Sequence, residues 1–239
     1  MPSIPILKQD FKINGKYLLI VFSGQLFSLL LAVGICEMKL IQISDIFWDT
    51  IPVVLFPLVL QMILAWSLIV RSRQEGTMDF VLATQISPEK IMASKILFLT
   101  GTSAVLMGSS VLLGCVGNVY SLTGVWSRET YLLLNLGGFC LQIFWGGFCF
   151  LVAVLAKKTS FYLKLAVGIP VLQYLLYLGY FLVPELFFLK YVTVFTLFDH
   201  TLFSGKSLFL WLVSVLYLVF GIVFFCVGRH RFLKREYSE

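Results

Sequence analysis

Six stretches of this chain are long enough to cross a membrane and contain no Asp, Glu, Lys, Arg or His. A helix crossing a hydrocarbon core of about 30 Å needs about 20 apolar residues. A charged side chain at the helix centre opposes insertion by about 2.5–3.5 kcal/mol, so stretches without one insert readily. The six stretches are Tyr17–Cys36, Ile51–Val70, Ile96–Gly117, Tyr131–Ala156, Leu165–Val183 and Leu208–Gly228. They predict an all-α, polytopic membrane protein with a six-span domain over 17–228.

Composition excludes the soluble alternatives. Of 239 residues 59% are hydrophobic and only 13% are charged, against roughly 25% charged in soluble domains. The net charge of +6 would suggest a nucleic-acid partner in a soluble protein. Here the basic residues lie between the apolar stretches, so we expect a lipid membrane as the surrounding medium and no nucleic acid.

The distribution of Lys and Arg predicts the orientation. The N-terminal segment, the second and fourth loops and the C-terminal tail hold 3, 4, 3 and 4 of them, whereas the first, third and fifth loops hold 1, 1 and 2. Cytoplasmic loops carry the excess of Lys and Arg, so both termini are predicted to be cytoplasmic. The tail, 229–239, is then a basic cytoplasmic segment. The first apolar stretch is too long for a cleavable signal peptide, so we expect it to remain as the first span.

The N-terminal segment 1–16 has an amphipathic pattern. Ile4, Leu7 and Phe11 fall on one helical stripe, with Lys8 and Lys12 away from it. This pattern predicts a short helix lying at the inner membrane surface. A disordered basic tail is the alternative.

The second loop, 71–95, carries two helix-start signals. Thr77 can cap a short helix that runs to about Thr84, and Ser87 followed by Pro88 starts another that continues into the third span. One side of the short helix carries Met78, Val81, Leu82 and Gln85. This is more structure than a connecting loop needs, and a solvated loop is the alternative.

The fifth loop, 184–207, is long and mostly apolar. Such a segment would not remain in bulk water, so we expect it to re-enter the outer leaflet or to cap the helix bundle. Irregular backbone at that depth must be covered by protein. Its aromatic candidates are Tyr191, Phe195 and Phe198.

Polar and small residues within the spans allow two interpretations. Single amides occur at Gln25, Gln61, Asn135, Gln142 and Gln173. They can bond neighbouring helices or line a pathway, and the pathway candidates are Gln25, Gln61, Gln173, Tyr174 and Tyr177. Small residues at four-residue spacing, Ala104 with Gly108 and Ser110 with Gly114, let helices approach closely within one chain or between two. A disulfide between Cys36 and Cys115 is left open.

Several kinds of chemistry lack sequence support. Charge-free spans argue against ion-coupled transport, which commonly uses ionisable residues within the membrane. Gly205-Lys206-Ser207 is not a phosphate-binding loop, because His200 stands where the first glycine is needed. We therefore expect no enzyme activity and no cofactor in this chain, and any energy source must lie in a partner.

A family resemblance is found in the second loop. The segment from Glu75-Gly76-Thr77 through Asp79 to Ser87, ending at Lys95, resembles the corresponding region of type-2 ATP-binding-cassette (ABC) exporter permeases. The stretch 189–199 is similar to the segment before the last span in that family. Gln85 departs from the pattern, because the family usually has proline at this position.

The resemblance implies a permease that works as a dimer, with an identical chain or a paralogue, in the plasma membrane of a bacterium. Two soluble ABC ATPase subunits would bind ATP and magnesium and seat the short helix as a coupling helix. The implied coupling residues are Glu75, Gly76, Thr77, Met78, Asp79, Val81, Leu82, Thr84 and Ser87. The first, second and fifth spans would line the route, and 184–207 would form an outer gate.

The expected activity is export of a hydrophobic or amphipathic compound, such as a peptide or drug-like molecule. The spans offer amides and aromatic rings but no charged site for an ion. The alternative is a non-transporting immunity or sensor protein that binds toxic peptides or recruits a partner. Recovery of a stoichiometric ATPase would favour transport.

Overall fold

The computed structural model describes residues 2–37, 54–84, 86–116, 128–182, 193–195 and 207–236. These residues form seven helices. They are α1 (Ile4–Glu37), α2 (Phe56–Gln74), α3 (Thr77–Leu82), α4 (Pro88–Val116), α5 (Arg128–Leu155), α6 (159–182) and α7 (Ser207–Glu236). All except α3 contain a segment long and apolar enough to cross a membrane. The predicted all-α class and the six spans are confirmed, and the chain is a multi-pass membrane protein.

Most of the spanning helices continue beyond their apolar stretches at the predicted cytoplasmic end, and α4 and α7 show this clearly. Helix α4 begins at Pro88, about two turns before the apolar stretch, and α7 continues to Glu236, two turns after its stretch ends. Hydrophobicity therefore marks where each helix crosses the membrane, whereas its ends depend on caps and on contacts outside.

The prediction of a separate N-terminal helix is wrong, because α1 runs without a break from Ile4 through the first span. After Pro5, which lies in the first turn where proline is tolerated, α1 contains no helix breaker until the membrane is crossed. Its buried face carries Ile6, Asp10 and Asn14. The apolar stripe Ile4 and Phe11 faces away from the bundle, as lipid contact requires.

Two helices contain π-helical turns, Trp66–Arg71 in α2 and Leu163–Val167 in α6. The hydroxyl of Tyr162 donates to the carbonyl of Met62 at 2.6 Å, at the point where the hydrogen-bond pattern of α2 changes. Side chains that bond to helix carbonyls are a known cause of such irregularities. The first turn of α6, which directly precedes its π-helical turn, therefore contacts α2 beside the π-helical turn of that helix.

Helix α5 is the centre of the bundle, with 72% of its most apolar window buried. It contacts α2, α4, α6 and, most extensively, α7. Helices α5 and α7 run in the same direction and touch through glycines. A Cβ on Gly147 would lie 2.5 Å from the carbonyl oxygen of Gly221, and one on Gly221 would lie 2.7 Å from that of Ile143. The glycines are required for this close approach.

The two small-residue motifs of α4 have different surroundings. Ser110 and Gly114 are buried, and the hydroxyl of Tyr131 donates to the Ser110 carbonyl at 2.9 Å. Ala104 and Gly108 are exposed, and no atom lies within 4 Å of a Cβ built on Gly108. The motif formed by Ser110 and Gly114 thus serves packing within the chain. Cys115 is a free thiol.

Candidate functional site

The predicted coupling segment forms a short helix at the end of α2. The chain reverses at Glu75 and Gly76, where Gly76 has φ +69°, a left-handed conformation that favours glycine. Arg71 and Glu75 form an ion pair at 2.8 Å just before this turn. The predicted capping role of Thr77 is wrong: Gly76 occupies the N-cap, and the Thr77 hydroxyl donates back to the Ser72 carbonyl at 3.0 Å. This bond closes the turn that sets the direction of α3.

The predicted start of the third span at Ser87 and Pro88 is confirmed. Helix α4 begins at Pro88, and the Ser87 carbonyl accepts from the backbone N–H groups of Lys90 and Ile91 at 2.9 and 3.2 Å. Proline suits the first helical position because its missing N–H would have no partner there. The α3–α4 connection is therefore short and well defined on the α4 side.

Helix α3 has one face on the bundle and one face exposed. Met78 is only 2% exposed, and Val81 and Leu82 are half-buried against the core. The predicted apolar side is confirmed for these three residues. Gln85, the fourth residue of that side, lies outside the described residues. Of the implied coupling residues, the exposed ones are Glu75, Gly76, Thr77, Asp79, Thr84 and Ser87.

The exposed face of α3 carries an aromatic side chain that the sequence pattern did not single out. Phe80 is 77% exposed and follows Asp79, on the side opposite Met78. Its signal in the sequence is weak, because it is one apolar residue off an apolar stripe. Aromatic side chains are enriched at protein–protein interfaces, so Phe80 is a candidate contact for a partner protein.

Contacts from the ends of α5 and α6 hold the end of α2, just before α3, in place. The guanidinium of Arg73 donates to the carbonyl oxygens of Ala156 at 3.0 Å and Val154 at 3.4 Å, at the C-terminal end of α5. Unsatisfied carbonyls at that end of a helix favour a cation. The Thr159 hydroxyl donates to Gln74 at 2.8 Å. The predicted cytoplasmic end is thus a connected assembly and not a set of separate loops.

A buried ion pair lies directly under α3. Lys95 Nζ of α4 is 3.6 Å from Asp10 Oδ1 of α1, with the two side chains 6% and 8% exposed. A small cavity beside the pair is also bordered by Ser72, Thr77 and Met78. The second Asp10 oxygen has no hydrogen-bond partner, and a water molecule can serve such a group. This pair joins the first and third spans at the position where α3 rests on them.

Two of the predicted pathway amides join helices. Gln25 of α1 donates to the carbonyl of Leu106 at 3.1 Å and to Ser110 at 2.6 Å. Gln61 of α2 donates to the carbonyl of Leu99 at 3.1 Å and to the Ser103 hydroxyl. All four acceptors lie on α4. Their contacts favour the interpretation that these amides hold helices together within the membrane.

The other pathway candidates come together with a predicted gate residue. Phe195 is 2% exposed and stacks on Trp145 of α5, with ring centroids 5.5 Å apart and planes at 20°. It meets Tyr174 of α6 edge-on at 5.7 Å, and Tyr177 at 6.3 Å. Tyr191 and Phe198, the other predicted gate residues, lie outside the described residues.

The backbone beside Phe195 is held by two side chains. The N–H of Val194 donates to Gln173 Oε1 of α6 at 3.0 Å, and its carbonyl accepts from the hydroxyl of Tyr217 of α7 at 2.7 Å. Trp145, Gln173 and Tyr217 each lie near the middle of their predicted span. The segment 193–195 therefore reaches deep into the bundle, where irregular backbone needs partners from protein. We call the segment 193–195, together with its contacts to Trp145, Gln173 and Tyr217, the plug.

Removing one partner of the plug should destabilise the protein measurably. Tyr217→Phe leaves the buried Val194 carbonyl without its donor, and such a loss costs about 1–3 kcal/mol. We expect a fall in the melting temperature, measured in detergent, of roughly 2–4 °C for each kcal/mol lost.

Tyr174→Phe is the matched control. It keeps the ring that contacts Phe195, and its hydroxyl forms no hydrogen bond within the described part of the chain. We expect little change in this variant. Equal melting temperatures for Tyr217→Phe and Tyr174→Phe would show that Val194 is not held as described.

Metal binding has no support in the described part of the chain, where no group of three or more His, Cys, Asp or Glu side chains could hold an ion. No known family model matches the chain, and no curated protein matches it. Helix length and hydropathy define the chain as a six-helix polytopic membrane protein.

Proposed function

We propose that this chain is the permease subunit of an ATP-driven ABC exporter, which moves a hydrophobic or amphipathic compound across the plasma membrane of a bacterium. The observation that carries the proposal is α3, a short helix fixed to the bundle by Met78, with Asp79 and Phe80 on its exposed face and Glu75 exposed just before it. The sequence resemblance of this segment to coupling helices supports the same assignment.

The contacts of α3 suit the transmission of force. A partner that binds Phe80 and pushes on α3 would act on α1 and α4 through Met78 and the Asp10–Lys95 pair. It would also act on α5 through Arg73. Switching proteins amplify small shifts of this kind because packed interfaces have discrete arrangements. ATP and magnesium would bind in the partner subunits, and the permease would be a dimer of identical or paralogous chains.

The plug supports the proposed gate. Phe195 packs between α5 and α6, and Val194 is held by one side chain from α6 and one from α7. Of the spans implied to line the route, the fifth (α6) contacts the plug. The aromatic rings that α6 presents there, Tyr174 and Tyr177, are in keeping with a hydrophobic or amphipathic substrate.

Loss of Phe80 should separate the permease from its ATPase. We expect Phe80→Ser to lower the ATPase activity recovered with the tagged, purified protein by about tenfold or more, because a central aromatic residue contributes about 2 kcal/mol or more to binding. Glu75→Ala should reduce it as well. The measurement is nucleotide hydrolysis by complexes reconstituted in lipid vesicles.

Phe161→Ser is the matched control, since Phe161 is an exposed phenylalanine near the predicted fourth loop. Its activity should match that of the wild-type complex. If Phe80→Ser and Glu75→Ala leave hydrolysis unchanged, the coupling assignment fails. Protection of cells from a toxic peptide without any ATPase partner would instead favour an immunity or sensor protein.

A further inference from the structure

An open groove runs between α1 and α4 on the side away from α5. Its volume is about 660 Å³, within the range of roughly 300–1,000 Å³ usual for small-molecule sites. Leu7, Phe11, Gly15 and Leu18 line one wall, and Gly101 and Val105 line the other. The walls are almost entirely apolar. Thr102 also lines the groove, but its hydroxyl donates to carbonyl oxygens of its own helix.

The groove is deep because glycines stand on both walls. No atom lies within 4 Å of a Cβ built on Gly15 or on Gly101. Larger side chains would fit at both positions, so the space between the helices is available to a ligand. Exposed apolar surface alone is expected on a membrane protein, but a concave apolar channel with a charged rim is a more specific feature.

A row of lysines follows the rim of the groove. Lys8, Lys12 and Lys16 are all exposed and lie one helical turn apart. Each directly follows a residue of the lining row Leu7, Phe11 and Gly15, so the lysine row lies about 100° further around α1, beside the wall of the groove. Lys90 is exposed at the same end of α4.

The acidic residues of this region have other partners. Asp10 is buried and paired with Lys95 on another face of α1, and Glu89, beside Lys90, is paired with Arg229 of α7 at 3.5 Å. The rim is therefore positive where the groove is apolar. This combination matches a ligand with an anionic head and a hydrocarbon chain.

We propose that the groove binds one anionic phospholipid of the cytoplasmic leaflet, with an acyl chain between α1 and α4 and the phosphate on the lysine row. Juxtamembrane lysines attract anionic lipids in this way. A second copy of the chain fits less well, because a two-fold contact places the same surface on both sides. Two lysine rows would then face each other.

The lysine row is tested by lipid titration of the purified full-length protein in detergent, with retained lipid counted by native mass spectrometry. We expect one phosphatidylglycerol per chain and at least tenfold weaker retention of phosphatidylcholine. Lys8→Gln with Lys12→Gln should weaken phosphatidylglycerol binding by on the order of tenfold or more. Lys157→Gln with Lys158→Gln, two exposed lysines between α5 and α6, is the charge-matched control and should bind as wild type.

The groove itself is tested by filling it. Gly101→Leu and Gly15→Leu should fold, since both positions are open, and should lose the retained lipid. Gly108→Leu adds the same side chain to an open face of α4 outside the groove and should keep the lipid.

Three results would overturn the proposal. Equal retention of the two lipids would show an unspecific apolar surface, and wild-type binding by Gly101→Leu and Gly15→Leu would place the lipid elsewhere. Conversion of a dimer to a monomer by Gly101→Leu, with lipid binding unchanged, would assign the groove to a second copy of the chain.

Discussion

Replacing Lys95 by methionine is expected to destabilise the protein by about 3–5 kcal/mol, because it removes one partner of a buried ion pair and leaves the other without compensation. Lys95 Nζ and Asp10 Oδ1 lie 3.6 Å apart, and both side chains are almost fully buried. Asp10 would then keep a carboxylate with no cation near it. The free energy of unfolding, measured by reversible denaturation in mixed micelles, reports the effect.

The double variant distinguishes pairing from burial. Asp10→Leu combined with Lys95→Met replaces both charges by apolar groups, which is often neutral for a buried pair. We expect it to recover most of the stability that Lys95→Met loses. Glu89→Gln is the control, because its ion pair with Arg229 at 3.5 Å is exposed and exposed pairs contribute about 0–1 kcal/mol. Additive losses in the double variant would contradict a direct interaction.

Gly147→Ala and Gly221→Ala should each destabilise the α5–α7 contact, although alanine is the better helix former by about 1 kcal/mol. The added methyl group would lie against the backbone of the facing helix, at 2.5 and 2.7 Å from carbonyl oxygens. Backbone cannot move aside as a side-chain tip can. We expect losses of about 1–3 kcal/mol, which for a chain of this size lower the melting temperature by roughly 2–12 °C.

Gly108→Ala is expected to change the stability in the opposite direction. It makes the same substitution on α4 at a position with no neighbour within 4 Å, so helix propensity acts alone and stability should stay the same or rise. Melting temperatures in one detergent provide the comparison. A stabilised Gly147→Ala would mean that α5 and α7 are not in backbone contact at this point.

The spans were predictable because the membrane imposes its own length and excludes charge. The stretch Tyr131–Ala156 and helix Arg128–Leu155 differ by a few residues, since the same apolar side chains satisfy both lipid and the bundle. In the N-terminal segment the prediction was wrong. Nothing in the pattern of segment 1–16 shows that α1 continues straight into the first span, because a helix leaving the membrane needs no apolar signal to continue.

Contacts between distant residues were not predictable. In the sequence Asp10 and Lys95 belong to two separate polar segments. They form a pair because α1 packs on α4. Gly147 and Gly221 belong to different spans with no repeated spacing that joins them. The apolar side of α3 was predicted through Met78 and confirmed, because helical period alone determines it. Phe80 was missed because its exposure depends on the direction in which the Gly76 turn releases the helix.

Val194 gives its N–H to a side chain of α6 and its carbonyl to a side chain of α7. If those helices move apart, Val194 can keep at most one of these partners, in a region where lipid can offer none. Water must then enter to solvate the group that is left. Hydration of this segment therefore accompanies separation of α6 and α7. The exclusion of water from the bundle stabilises the arrangement in which these two helices are together.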